Sequence, residues 1–171
     1  YHIKNFILAG ANYESKIYDD FIKLLKEESG NVYVAKSGDI VSWNNTPILK
    51  ILWPDKIALG RSFKSIHDST VVSQLNLGNK KFLLMGDAEE NLESRLVASN
   101  AIMDIDVLKV GHHGSKTSTS DALLQAAKPE EAIIQVGRNS YGHPTAMVLD
   151  RLQKFGIKIF RTDQVGDVVY K

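Results

Sequence analysis

Cysteine is missing from this 171-residue chain. Its absence excludes a thiolate zinc site, a disulfide framework and a cysteine nucleophile, and it leaves the redox compartment unreadable. A charge excess is missing too: 21 Lys and Arg against 20 Asp and Glu leave a formal net charge of +1. No global field therefore draws the chain to nucleic acid or to a membrane, and any nucleic-acid contact has to be local. No apolar run approaches the roughly twenty residues needed to span a bilayer. No signal peptide, internal repeat, low-complexity tract or linker is visible, so residues 1–171 read as one domain. The chain also lacks an initiator methionine and enters a strand-like run, 6–9, almost at once, which is the expectation for an N-terminally truncated piece. With no thiol, the chemistry falls to carboxylates and five histidines.

Two periodicities alternate along the chain. After the 6–9 run, Ile17, Phe21, Leu24 and Leu25 with Lys and Glu between them predict an amphipathic helix that stops at Ser29-Gly30. Strands are expected at 32–35, 39–43 and 48–53, the last two around an Asn-Asn-Thr-Pro turn, followed by a polar loop over 54–68. Gly78-Asn79 joins the 69–77 and 81–85 strands as a hairpin. This half is mostly antiparallel sheet. The rest alternates helices at 88–98, 120–127 and 145–155 with strands at 105–110, 131–136 and 157–161, which predicts helices packed on a mixed sheet. Residues 167–170 are expected to close the sheet as a last strand. Trp43 and Trp53 alternate with apolar neighbours and read as core or sheet-face packing.

Two of these strands stop abruptly beside glycine at a side chain able to bind metal. Leu83-Leu84-Met85-Gly86-Asp87-Ala88-Glu89 is one, and Val107-Leu108-Lys109-Val110-Gly111-His112-His113-Gly114-Ser115 is the other. Metal sites are mounted on sheet rims in this way. Read singly, Asp87 could be only a helix N-cap and His-His-Gly-Ser only a polar turn. Two such ends in succession point instead to a metallohydrolase site.

These runs, with Lys116-Thr117-Ser118, Tyr141-Gly142-His143-Pro144 and Arg161-Thr162-Asp163 in register behind them, closely resemble the metallo-β-lactamase-like domain of ComEC-type DNA-uptake proteins. The resemblance covers nearly the whole chain and implies an α/β metallo-β-lactamase-like αβ/βα sandwich, here its C-terminal portion, with a mixed sheet flanked by helices. It also implies a site for two divalent ions, zinc or manganese, and hydrolysis of a phosphodiester such as DNA by a metal-bound hydroxide. A ComEC-type chain would partner the membrane channel portion of the same protein, giving a membrane-tethered domain. One departure stands out. The family's His-x-His-x-Asp-His motif, which supplies most of the metal ligands, does not occur here. Truncation ahead of Tyr1 is the expected reason.

Within that frame Asp87 is the expected bridging carboxylate, because its charge can hold two ions close together. One of His112 and His113 is implied as a terminal ligand. Side chains of neighbouring residues on an extended segment point apart, so only one should coordinate. His113 is favoured, with His112 on the phosphate or behind the ligands. His143 is assigned to protonating the leaving oxygen or bonding a phosphate oxygen, its alternative being a helix cap after Pro144. Ser115, Lys116 and Thr117 form a polar loop suited to a phosphodiester backbone, or simply a solvated one. His67, beside Asp68, reads more readily as an exposed loop histidine than as a further ligand. His2 has no supporting context, and Arg161 and Asp163 are expected to pair as a brace. Two other functions stay open: a stand-alone hydrolase of the same fold acting on another ester, and a metal-free relic used for assembly or nucleic-acid binding. An acid and three imidazoles kept in these contexts argue against the relic.

Overall fold

In the computed structural model, which describes residues 2–56, 60, 63 and 65–170, the strands fall into two sheets. β1 (Asn5–Leu8) and β2 (Asn31–Val34) pair in parallel across α1 (Lys16–Glu27). Ser15 caps α1 by accepting the Tyr18 amide, which supplies one of the donors a helix start leaves unpaired. Leu25 faces inward, but Ile17, Phe21 and Leu24, one expected core stripe, lie exposed. The amphipathic pattern therefore forms the helix, while only part of its apolar face is covered.

The larger sheet runs in chain order through β3 (Ile40–Trp43), β4 (Thr46–Trp53), β5 (Val72–Leu77), β6 (Lys80–Leu84), β7 (Val107–Lys109), β8 (Glu131–Ile134) and β9 (Lys158–Arg161). The first four are antiparallel and the last four parallel. Asn44 and Asn45 both take positive φ at the β3–β4 turn, the backbone that suits a two-residue hairpin and that Asn tolerates. Register aligns Leu83, Leu108 and Ala132 on one face and Phe82, Val107 and Glu131 on the other. α2 (Glu90–Ala98), α3 (Asp121–Ala127) and α4 (Ala146–Lys154) contribute Leu92, Leu96, Leu123, Leu124, Val148 and Leu152 to the core on the first face. Each such side chain contributes roughly 1.5–3 kcal/mol by leaving water, and together they hold the strand ends that carry the site.

Several expectations need correction. Residues 167–170 form no strand; α5 (Thr162–Val165) intervenes, and the tail crosses the second face through one anchor. There the Tyr170 hydroxyl donates to Glu131 Oε2 at 2.6 Å and its ring meets Phe82 edge-on. Trp53 is buried as expected and donates Nε1–H to the Asp68 carbonyl, but Trp43, on the edge strand β3, is 69% exposed. Glu89, not Asp87, occupies the N-cap of α2, and its side chain makes no cap bond. Residues 57–59, 61, 62 and 64 of the expected 54–68 loop lie outside the described residues. Among the described residues no helix is long and apolar enough to cross a membrane.

Candidate metal centre

β6, β7 and β8 are parallel, so the segments that leave their C-terminal ends emerge at one edge of the sheet. β5 is antiparallel to β6, which brings the segment before β5 to the same edge, including a 3-10 turn over Ile66–Ser69. Asp87 follows β6, His112 and His113 follow β7, His143 follows β8, and His67 sits in the turn. The carboxyl edge of parallel strands is where open α/β sheets place their ligands.

Backbone bonds lock these segments together. The His112 amide donates to the Gly86 carbonyl at 3.0 Å, the Asp87 amide to Thr70 Oγ1 at 3.1 Å, and the Thr145 amide to the Gly114 carbonyl at 2.9 Å. Gly86 has to be glycine: its φ is +56°, and a Cβ would sit 2.1 Å from Thr70 Oγ1. His112 and His113 are not extended, contrary to expectation. They form a tight turn with φ of 44° and 54°, both left-handed, a conformation that costs non-glycine residues roughly 1–2 kcal/mol apiece. Consecutive left-handed residues turn both imidazoles toward the same edge, where an extended pair would splay them.

The ring nitrogens are differentiated by their partners. His113 Nδ1 lies 2.7 Å from the Gln135 carbonyl. A carbonyl only accepts, so Nδ1 carries the proton and Nε2 of the neutral ring keeps its lone pair. That Nε2 stands 3.8 Å from Asp87 Oδ1. His112 Nδ1 lies 3.3 Å from Glu89 Oε1, which also accepts the Thr117 hydroxyl at 2.7 Å. The His112 ring is 4.2 Å from that of His67 and 5.6 Å from that of His143, centroid to centroid. His67, Glu89 and His112 present ligand atoms that all lie within 4.8 Å of one another. His143 Nδ1 is buried and finds no hydrogen-bond partner among the described residues. Burial, followed by the neighbouring His112 and His113, lowers the His143 pKa and keeps that ring neutral.

Comparison with known proteins adds a family to this geometry. The model of the Metallo-beta-lactamase superfamily matches residues 63–138, the stretch from the turn of His67 through both glycine-bounded strand ends. This is a metallo-β-lactamase-like domain. It is similar to ComE operon protein 3 of Bacillus subtilis, with 33% identity over 153 residues that cover 88% of this chain and 19% of that protein. It is also similar to Competence protein ComA of Neisseria gonorrhoeae, with 38% identity over 107 residues, 60% of this chain and 16% of that protein. Recombination protein 2 of Haemophilus influenzae is 42% identical over 92 residues, 53% of this chain and 11% of its own. The chain thus spans about a fifth or less of the length of these relatives. A CmlA beta-hydroxylase variant superposes with a TM-score of 0.51 at 12% identity over 81% of this chain and 34% of that one, a likeness of fold alone.

The residues of this metallo-β-lactamase-like domain fit a divalent ion. The 3.8 Å between His113 Nε2 and Asp87 Oδ1 is too long for a hydrogen bond. It lies within the roughly 4 Å that two ligand bonds of about 2.0–2.2 Å can span. A donor set of imidazole and carboxylate without thiolate suits zinc or manganese. Glu89 can serve in either of two ways, as a ligand beside His67 and His112 or as the acceptor that fixes the His112 ring.

Asp87, His112, His113 and His143, all expected from the sequence, come to this edge. Ser115 is buried with its hydroxyl 3.0 Å from that of Thr117, Lys116 is exposed, and Thr117 turns to Glu89. Arg161 and Asp163 pair at 2.7 Å. His67, read from the sequence as an exposed loop residue, is half-buried against His112, and Glu89, which the sequence reading passed over, joins them two residues after Asp87. The sequence reading also passed over Lys109, half-buried, whose Nζ reaches the Gly86 carbonyl at 3.4 Å. Burial lowers the Lys109 pKa, against an opposing pull from Asp87.

Proposed function

We propose that this domain takes part in metal-dependent hydrolysis of a phosphodiester, with DNA as the substrate, within a protein that serves DNA uptake. One observation carries the reading: Nε2 of His113 facing Asp87 Oδ1 at 3.8 Å, with His112, His67 and His143 around them at one sheet edge. The names of the similar competence proteins supply the DNA-uptake context, and a membrane portion of the same polypeptide would be its partner. Asp87 and His113 would hold a divalent ion, with His67, Glu89 and His112 as a separate group of donors at the same edge. A bound ion activates water and neutralises phosphate charge. The sequence contains no His-x-His-x-Asp-His run, so the family's full set of ligands for two ions is not present here.

His143 stands next to the ligands without a partner for its buried nitrogen. Held neutral in the resting site, it can offer an N–H to a phosphate oxygen. An arriving phosphate anion favours uptake of a proton from solvent by the ring, which can then give that proton to the leaving oxygen. Lys116 and Thr117, beside the site, are assigned to the phosphodiester backbone, and Ser115 supports them from within.

Calorimetric titration with zinc and manganese, paired with cleavage of a DNA strand and of a bis-aryl phosphate, tests these roles. The chain alone should bind metal weakly and turn over little, while a longer polypeptide that supplies the remaining ligands should bind two ions and cleave both substrates. Asp87→Ala should abolish metal binding. His143→Ala should keep the metal and lower turnover by roughly two to four orders of magnitude. Equal metal loss in the two variants would make His143 a ligand and overturn the assignment. Tight two-ion binding by the chain as it stands would refute the incomplete site.

A further inference from the structure

The loop between β8 and α4 carries features that ligand binding by the ion does not use. Asn139 closes it. Its Nδ2 donates to the Gly137 and His143 carbonyls, each at 2.9 Å, and its Oδ1 accepts the Tyr141 and His143 amides, each at 3.1 Å. Two donor hydrogens and two lone pairs are all that an amide side chain has, so Asn139 is saturated and the loop is fixed from within. What the loop displays is Tyr141. That ring is 81% exposed and stacks on His143 at 6.0 Å with the planes 22° apart. An aromatic left in water contributes little to folding, and this one is held beside the half-buried His143 ring. A cavity of about 460 Å³ opens there, lined by His113 and His143 from the metal centre and by Arg138 and Tyr141 from the loop. Arg138 is exposed, and among the described residues no carboxylate pairs with it.

We propose that this loop is a subsite for one nucleotide of a single strand, with the base stacking on Tyr141 and an adjoining phosphate meeting Arg138. The inference rests on the phosphodiesterase reading and specifies the substrate on one side of the scissile bond. A nucleotide carries a planar base and a phosphate on one sugar, and the loop offers an aromatic face and a cation together. Preorganisation by Asn139 means that little ordering remains to be done on binding. Trp43, also exposed, lies on the edge strand β3 and is not among the residues lining this cavity.

The test is fluorescence anisotropy without divalent ions, so that nothing is cleaved, on a labelled oligothymidylate and on an abasic strand of equal length. The unmodified chain should bind the base-bearing strand roughly tenfold more tightly, within the range measured for stacking of one base on an aromatic side chain. Tyr141→Ala should erase that preference and Tyr141→Phe should keep it. Arg138→Ala should weaken both strands alike. Equal affinity for the two strands in the unmodified chain, or a preference that survives Tyr141→Ala, overturns the subsite, as does failure to bind either strand. Cleavage of bis-aryl phosphate by the metal-loaded longer polypeptide reports separately on the hydrolase reading. Cleavage without base discrimination retains the hydrolase and removes the subsite. Discrimination lost in Tyr141→Ala without any cleavage retains the subsite and removes the hydrolase.

Discussion

Replacing Glu93 should unsettle the metal centre without touching it. Glu93 is fully buried on α2, and its two carboxylate oxygens accept the amides of Thr119 and Ser120, at the end of the loop that begins with His112 and His113. Ser118 continues the brace, its hydroxyl donating to the Gly111 carbonyl at 2.8 Å. Glu93→Leu leaves two buried amides without acceptors at about 1–3 kcal/mol each, partly offset because a carboxylate no longer has to be kept out of water. The expected net loss is about 2–4 kcal/mol. Glu93→Gln keeps one acceptor but turns its amide nitrogen toward the other N–H, for a loss of about 1–3 kcal/mol. Burial outweighs the two amide bonds and raises the Glu93 pKa above its usual 4.5. The native state therefore binds this proton more tightly than the unfolded chain does. This residue's contribution to stability is greatest below pH 4.5 and declines as pH rises through the elevated native value. Urea unfolding followed by the fluorescence of buried Trp53, repeated between about pH 4 and 8, should show that decline in the parent and a flatter profile in Glu93→Gln. Identical midpoints and identical pH slopes in the two proteins would refute the reasoning.

Gly86→Val should destabilise by several kcal/mol, since a branched side chain at a φ of +56° would collide with Thr70 Oγ1; an unchanged urea midpoint would contradict that account. Ile17→Lys with Leu24→Lys should reduce concentration-dependent association in sedimentation velocity and leave the unfolding midpoint within about 0.5 kcal/mol of the parent, because neither side chain is buried.

How much could be read beforehand depended on whether a residue's role was local. The Asn44-Asn45 turn, the Gly78 hairpin and the two glycine-bounded strand ends are written in adjacent residues, and Asp87, His112, His113 and His143 came with them. His67 read as an exposed loop residue because its placement depends on β5 running antiparallel to β6, which returns its turn to the edge where β6 and β7 end. Glu89 acquires meaning only through Thr117, 28 positions away. The His112–His113 turn was misread because alternation assumes extended backbone, and two left-handed residues break it. Residues 167–170 carried a strand-like composition, yet a single Tyr170 anchor holds them across the sheet face where a ladder was expected. The stripe of Ile17, Phe21 and Leu24 determined a helix and did not determine which side of it would be covered.

The left-handed pair at His112 and His113 sets stability and chemistry against each other at the same two positions. Glycine at either place would relieve backbone strain while deleting an imidazole, so a sequence optimised only for folding would drift away from the metal centre. The amides, hydroxyls and buried carboxylate tied into this edge then have a second meaning: they hold the loop in a shape it would not keep by itself. Removing such a tie far from the candidate site should loosen its histidines before it unfolds the domain. Variants of this kind would retain their spectroscopic fold while their affinity for added zinc or manganese falls.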